Sequence, residues 1–203
     1  MRDCSWAIVI RDGEILVFRG QAVEASEGFI CEGAWAGNFS AQGLLESEFV
    51  CGSGAIRRGD TLHVIAPSHS VEYIYYFAGV DGSAIVSNSI HAIIALRGDA
   101  APSDLDSART AVRSVAKGFA DYQRCIYQTE AGVMYRFAFG GIDIDLTSME
   151  VSERPRPRIK TSFRTFEEYR DLLLHVLSSL VENAASPLRS SPYPRLITTC
   201  SSG

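Results

Sequence analysis

Residues 71–94, VEYIYYFAGVDGSAIVSNSIHAII, contain the pattern that decides the fold class. The first seven are mostly aromatic or β-branched and favour a strand, and Asp81-Gly82 turns the chain into a second strand, Ala84–Ser87. Ser89 then offers an N-cap oxygen to a short helix with three isoleucines on one face, which Gly98 is placed to end. Strands that give way to a helical period predict an α+β fold.

Further strands are predicted on both sides of this segment. Asp12-Gly13 joins two apolar runs into a β-hairpin over residues 7–18, and Leu62–Ala66 is a strand ended by Pro67. Together with residues 71–77 and 84–87, this last strand predicts a three-stranded meander. Later strands are predicted over residues 124–129, 133–139 and 142–146.

Two further helices carry capping signals. Ser103–Asp106 forms a capping box for a helix that would bury Leu105, Ala108, Val112 and Val115. Thr165 and Glu168 cap a longer helix whose apolar stripe comprises Phe166, Tyr169, Leu172, Leu173, Val176, Leu177, Leu180 and Val181. The Pro- and Arg-rich residues 153–158 before it predict a stiff, solvated connector. We therefore predict a first domain over residues 1–153, a linker over 154–164 and the start of a second domain over 165–203.

Composition excludes several classes of protein. The 203 residues carry a net charge of -5, which gives no basic face for nucleic acid or anionic lipid. The apolar runs fall short of the roughly 20 residues that span a bilayer, so no membrane segment is predicted. Five cysteines are scattered without a Cys-x-x-Cys pair, which argues against a zinc site and favours reduced thiols in a cytoplasmic protein.

The last nine residues, 195–203, predict a phosphate-binding loop. A strand runs into Ser201, Ser202 and Gly203, and small residues at this place in an α/β sheet let backbone N–H groups approach phosphate oxygens.

The order of these motifs resembles the asparagine synthetase-like ATP pyrophosphatases. Ser201, Ser202 and Gly203 match the first three positions of that family's phosphate loop, Ser-Gly/Ser-Gly-x-Asp-Ser. The Tyr75-Tyr76, Asp81-Gly82 and Ser87–Ser89 passage is similar to its N-terminal domain. The resemblance implies an Ntn-hydrolase-like αββα sandwich, followed by a helix and the first strand of an incomplete α/β PP-loop domain.

The resemblance also implies an activity. Such a ligase adenylates a carboxylate with Mg-ATP and forms an amide when an amine attacks, so ATP and Mg²⁺ are expected only with the remaining synthetase domain, in cis or as a second chain. Glutamine-dependent members begin with a catalytic cysteine, whereas Cys4 here follows three residues, so no glutaminase activity is expected. Two alternatives stay open: a non-catalytic scaffold with this fold, and a glutaminase unmasked by removal of residues 1–3.

The remaining polar candidates are expected to be structural. We predict hydrogen-bonded histidines at His63 and His69, and solvated ones at His91 and His175. Asp143 and Asp145 share one side of a strand and could imitate a catalytic carboxylate pair, although such alternation is typical of a solvent face. Cys4 is expected to be buried or on an edge strand, and both tryptophans, Trp6 and Trp35, are expected in the core.

Overall fold

The computed structural model describes residues 3–69, 72–98, 110–111, 113–118, 122–156 and 162–190. Twelve strands, three α-helices and one 3-10 turn have both ends within these ranges, and residues 110, 111, 113 and 114 are also helical. They are β1 (Trp6–Arg11), β2 (Glu14–Arg19), β3 (Glu24–Ser26), β4 (Phe29–Trp35), α1 (Ala41–Glu46), β5 (Val50–Arg58), β6 (Thr61–Ile65), β7 (Ile74–Gly79), β8 (Ala84–Ser87), α2 (Ile90–Arg97), a 3-10 turn (Val115–Lys117), β9 (Cys125–Thr129), β10 (Gly132–Phe137), β11 (Gly141–Asp145), β12 (Val151–Arg154) and α3 (Phe166–Ala184).

The strands form two six-stranded sheets in which every neighbouring pair is antiparallel. Sheet A has the order β2-β1-β8-β7-β10-β9, and sheet B has the order β12-β11-β6-β5-β4-β3. The expected α+β class is confirmed.

The two sheets face each other across one apolar core. The strands that build this core contribute residues of one face, as the period-2 geometry of a strand requires. Sheet A supplies Trp6, Ile8, Ile74, Tyr76 and Val86, and sheet B supplies Ile30, Leu62, Val64, Ile142 and Ile144. Both tryptophans are fully buried, as predicted.

Short helices cover the outer faces of both sheets. Helix α2 packs Ile93 against Phe77, Ile85 and Met134 of sheet A, and α1 packs Leu44 against sheet B. The predicted signals around α2 are confirmed: the Ser89 hydroxyl accepts a hydrogen bond from Ala92 N, and Gly98 ends the helix with φ 71°. The Asp12-Gly13 turn is also confirmed, with φ of 52° and 77°.

Helix α3 covers the part of β4 that β3 leaves unpaired. Strand β3 pairs with β4 only as far as Cys31, so the outward backbone groups of Gly33 and Trp35 need other partners. Asn183, which is 2% exposed, accepts from Trp35 N at 3.4 Å, and Arg189 donates to Gly33 O at 2.9 Å. The second half of α3 is thereby fixed to the sandwich.

Three features differ from the sequence-based picture. The predicted meander is wrong, because β6 lies in sheet B while β7 and β8 pair in sheet A. The alternating pattern of β6 does not indicate which sheet the strand joins, because both sheets bury one face in the same core. Arg156 is not simply solvated: it donates to Ala66 O, Ser68 Oγ and Glu48 O, and burial lowers its pKa to about 10. Arg154 belongs to edge strand β12.

Several predictions lie outside the described residues. These are the Ser103–Asp106 capping box with Leu105, Ala108 and Val112, the strand that leads into the last three residues, and Ser201, Ser202 and Gly203. Val115, predicted to be buried on the same helix, is described: it lies in the 3-10 turn and is half-buried. Among the helices that are described, none combines the length and apolar character needed to cross a membrane.

Candidate ligand pocket

A pocket of about 360 Å³ opens where the chain enters β1. Both sheets and the start of α2 contribute to its wall. The lining residues used below are Cys4, Glu32, Ser53, Glu72, Tyr73, Tyr75, Asn88 and His91. This volume is in the range of small-molecule sites, which is about 300–1,000 Å³.

A polar bridge between the two sheets forms one side of the pocket. Trp6 of sheet A donates its indole N–H to Ser53 Oγ of sheet B at 3.0 Å. The Ser53 hydroxyl in turn donates to Glu32 Oε1 at 2.9 Å. Ser53 is fully buried, so its single proton is committed to Glu32 and the carboxyl is held in one position.

Asn88 ties the chain before β1 to the same carboxyl. Its side-chain oxygen accepts from Trp6 N at 2.9 Å, and its amide group donates to Cys4 O at 2.8 Å. The same amide nitrogen lies 3.5 Å from Glu32 Oε1. The asparagine of the Ser-Asn-Ser segment thus shapes the pocket, while Ser89 beside it caps α2.

Glu32 is the most strongly perturbed acid of this site. The residue is only 9% exposed, and this burial raises its pKa to about 7. The negative charge of Glu72 acts in the same direction, whereas the hydrogen bonds from Ser53 and Asn88 act against it. A carboxyl with this pKa exchanges its proton near neutral pH, which is typical of functional sites.

The outer wall is aromatic and carries little positive charge. Tyr73 and Tyr75 meet edge to face with ring centroids 6.3 Å apart. Burial raises the pKa of Tyr75, so its hydroxyl stays protonated. Among the described residues that line the pocket there is no lysine or arginine, and His91 is the only basic side chain.

Cys4 contradicts its prediction, because it is exposed and lies in a turn before β1. The strand begins only at Trp6, two residues later, so the thiol reaches the rim of the pocket instead of the core. The preceding residue is fixed as well, since Asp3 O accepts a hydrogen bond from Ala22 N at 3.0 Å.

The predicted structural role of His63 is confirmed. Its Nδ1 lies 2.9 Å from Asp143 Oδ1, and Arg154 Nη2 lies 2.7 Å from Asp143 Oδ2. Burial opposes ionisation of Asp143, but the hydrogen bonds from Arg154 and His63 outweigh it and lower the pKa of the carboxyl. These three side chains tie together β6, β11 and β12.

The other polar candidates are dispersed. Asp145 accepts from Thr147 N and Ser148 N in a turn, and these hydrogen bonds lower its pKa, so it forms no working pair with Asp143. His69 lacks the predicted hydrogen bond: its Nε2 lies 3.6 Å from Glu72 Oε2, and its buried Nδ1 has no hydrogen-bond partner among the described residues. His91 and His175 are exposed, as predicted. No group of metal-ligating side chains occurs among the described residues.

Sequence reasoning missed Glu32, Ser53 and Asn183. Glu32 and Ser53 fall in residues 20–53, where many small residues obscure the alternation expected of a strand. Asn183 was missed because only the apolar residues of its helix were considered as packing residues. A usable signal was present at Glu32, the one charged residue of the otherwise apolar strand FICEGAW.

Comparison with known proteins leaves the sequence unassigned: no family model matches it, and no curated protein shows significant similarity.

Proposed function

We propose that this chain is the N-terminal portion of an ATP-dependent amide-forming ligase of the asparagine synthetase-like type. In this proposal the two-sheet unit is an Ntn-hydrolase-like domain without glutaminase activity, and α3 begins the synthetase domain. Mg-ATP would activate a carboxylate by adenylation before an amine attacks it. Ser201, Ser202 and Gly203 would contribute to the phosphate loop.

The observation that carries the proposal is the exposed stripe of α3, defined as Phe166, Tyr169, Leu173 and Val181. Each is between 43% and 71% exposed, although they continue the apolar face that buries Val176 and Leu180. Phe163 adds a third ring at the start of this stripe, 5.4 Å from Tyr169. An apolar helix face that is covered only in part is typical of a helix that packs against a further domain. The remaining synthetase domain would cover the exposed part of this face.

The pocket supports the absence of glutaminase activity. Its place at the entry to β1 corresponds to the position that the resemblance implies for a nucleophilic cysteine, and Cys4 is on its rim. The amine of Cys4 is bound in a peptide bond, however, and Asp3 before it is hydrogen-bonded to Ala22. A cysteine inside the chain lacks the free α-amine that would serve as its base.

The scaffold alternative is favoured by the same feature. A pocket that keeps its shape but lacks a working nucleophile fits an interaction module as well as a ligase domain. The two functions differ in what covers the exposed stripe and in whether ATP binds.

The test uses the natural protein that contains this chain. Leu173→Cys is labelled with a maleimide and followed by peptide-resolved mass spectrometry, with Glu182→Cys on the opposite, polar side of α3 as the matched control. Slow labelling at position 173 and fast labelling at position 182 is the expected result. Equal, fast labelling would contradict a synthetase domain on the stripe, and ammonia release from glutamine would contradict the inactive glutaminase.

A further inference from the structure

We propose that the pocket beside β1 binds a small organic cation, an alkylammonium or alkylguanidinium group, with the Glu32 carboxylate as its partner. This site goes beyond the proposed function, because it needs neither ATP nor a second domain. Nor does it need the Cys4 thiol to act as a nucleophile.

The side-chain hydrogen bonds that hold Glu32 use one of its two carboxylate oxygens. Oε1 of Glu32 accepts from Ser53 and lies within reach of Asn88. The backbone of Ser53 also contributes a hydrogen bond to this carboxyl. A cation that donates to Oε2 would add a charge-assisted hydrogen bond at the pocket wall.

The charges around the pocket favour a positively charged ligand. Glu72 is a second acid on the wall, close enough to Glu32 to raise the pKa of that group further. No arginine or lysine of the described lining offsets these two acids. An anion would therefore meet like charge, whereas a cation would form a charge-assisted hydrogen bond with Glu32.

The aromatic wall suits the same class of ligand. Tyr73 and Tyr75 bring two rings to the pocket, and a ring face attracts an ammonium or guanidinium group. The guanidinium of Arg136 already lies over Tyr73, with its carbon 4.9 Å from the ring centroid, so Tyr75 is the ring that would receive the ligand. Aliphatic carbons of the ligand would pack on Pro67 and Ile90 of the lining.

An amino-acid zwitterion fits less well than a simple cation. Its carboxylate would be confined with Glu32 and Glu72, and the described lining offers no guanidinium or ammonium group to receive it. The partial positive charge at the start of the eight-residue helix α2 is smaller than one full charge. We therefore expect glutamine to bind more weakly than an amine of the same length.

The experiment is an NMR titration of the ¹⁵N-labelled full chain at pH 8. Four probes share one carbon skeleton and differ in charge: butylammonium, butylguanidinium, butanol and butyrate. We expect both cations to shift the amide signals of Glu32, Ser53 and Asn88, with a Kd at least ten-fold lower than that of butanol or butyrate. Equal shifts by all four probes, or preferential binding of butyrate, would overturn the proposal.

Substitutions in the pocket test whether Glu32 is the residue that binds the cation. Glu32→Gln keeps the size of the side chain and should weaken butylammonium binding at least ten-fold, while Glu130→Gln in the exposed β9–β10 turn should leave it unchanged. Unchanged binding by folded Glu32→Gln would refute the role of Glu32. If Glu32→Gln does not fold, Glu72→Gln serves in its place: a several-fold loss supports the proposal, and no loss contradicts it.

A pH series on the unsubstituted chain gives an independent readout. Because the pKa of Glu32 is about 7, its ionised fraction rises about ten-fold between pH 6 and pH 8, and the affinity for butylammonium should rise with it. The other titratable groups that face the pocket are Cys4, Glu72, Tyr73, Tyr75 and His91. Behind them, His69 lies beside Glu72 and Arg136 lies over Tyr73. The rise should persist in His91→Gln, and a rise that disappears in this variant would contradict the assignment to Glu32.

Discussion

Replacing Glu32 with glutamine should stabilise the protein at alkaline pH far more than at acidic pH. The carboxyl has a pKa of about 7 in the folded chain, because it is buried, against 4.5 as its ordinary value. Between these two values the folded state holds a proton that the unfolded state has released. The folded state of the natural chain therefore loses stability as the pH rises through this window.

The size of the effect follows from the two pKa values. Between pH 5 and pH 8, the Glu32 carboxyl should remove about 2–3 kcal/mol from the free energy of unfolding, and glutamine removes this dependence. The glutamine amide can still accept from Ser53 Oγ, so the polar bridge to Trp6 is kept. For a chain of this size the difference corresponds to about 5–10 °C in Tm.

The assay is urea unfolding at pH 5 and pH 8 for the natural chain, Glu32→Gln and the exposed control Glu130→Gln. The quantity of interest is the change with pH in the stability difference between variant and natural chain. We expect it to move by about 2–3 kcal/mol in favour of Glu32→Gln and to stay constant for Glu130→Gln. A constant difference for Glu32→Gln would show that the folded protein keeps Glu32 ionised throughout, and would refute the reasoning.

Three further predictions concern the packing around this site. Asn183→Leu should lower the free energy of unfolding by about 2–4 kcal/mol in urea titrations, because Trp35 N and Gly37 O lose their buried partner. A loss below about 0.5 kcal/mol would argue that α3 is not anchored there. Gly33→Ala should prevent folding as judged by circular dichroism, since its Cβ would lie 2.0 Å from Cys51 O, while Gly13→Ala in the open turn should cost only about 1 kcal/mol; a folded Gly33→Ala chain would contradict the close approach of β4 and β5. Iodoacetamide should alkylate exposed Cys4 within minutes and spare Cys31, because burial raises the pKa of the Cys31 thiol to about 12. The reverse order in peptide mass spectra would contradict the placement of Cys4 at the pocket rim.

Local sequence signals predicted the elements that are bounded by clear turn or capping residues. The Asp12-Gly13 hairpin and the Ser89 to Gly98 helix are set by turn and cap chemistry, which acts over a few residues. The alternation of Ile142 and Ile144 likewise identified β11. In each case the interactions that decide the structure lie within the segment itself.

The arrangement of strands and the pocket depend on contacts that are distant in sequence. Strand β6 pairs with β11 across 80 residues at His63 and Asp143, and its own residues do not specify that partner. The pocket brings together Glu32 of β4, Cys4 just before β1 and Asn88 just after β8. The single charge in the strand FICEGAW is a sequence signal for Glu32, but no motif encodes the burial that raises its pKa or its neighbours in the pocket.

The most direct test of the ligase proposal is binding of Mg-ATP to the natural protein that contains this chain. Isothermal titration calorimetry would compare it with Gly203→Val, whose side chain would block the approach of the loop backbone to phosphate, and with Val80→Ala on the exposed β7–β8 turn as a control. The proposal predicts saturable binding that Gly203→Val abolishes and Val80→Ala retains. No binding by the natural protein, or equal binding by all three, would contradict it.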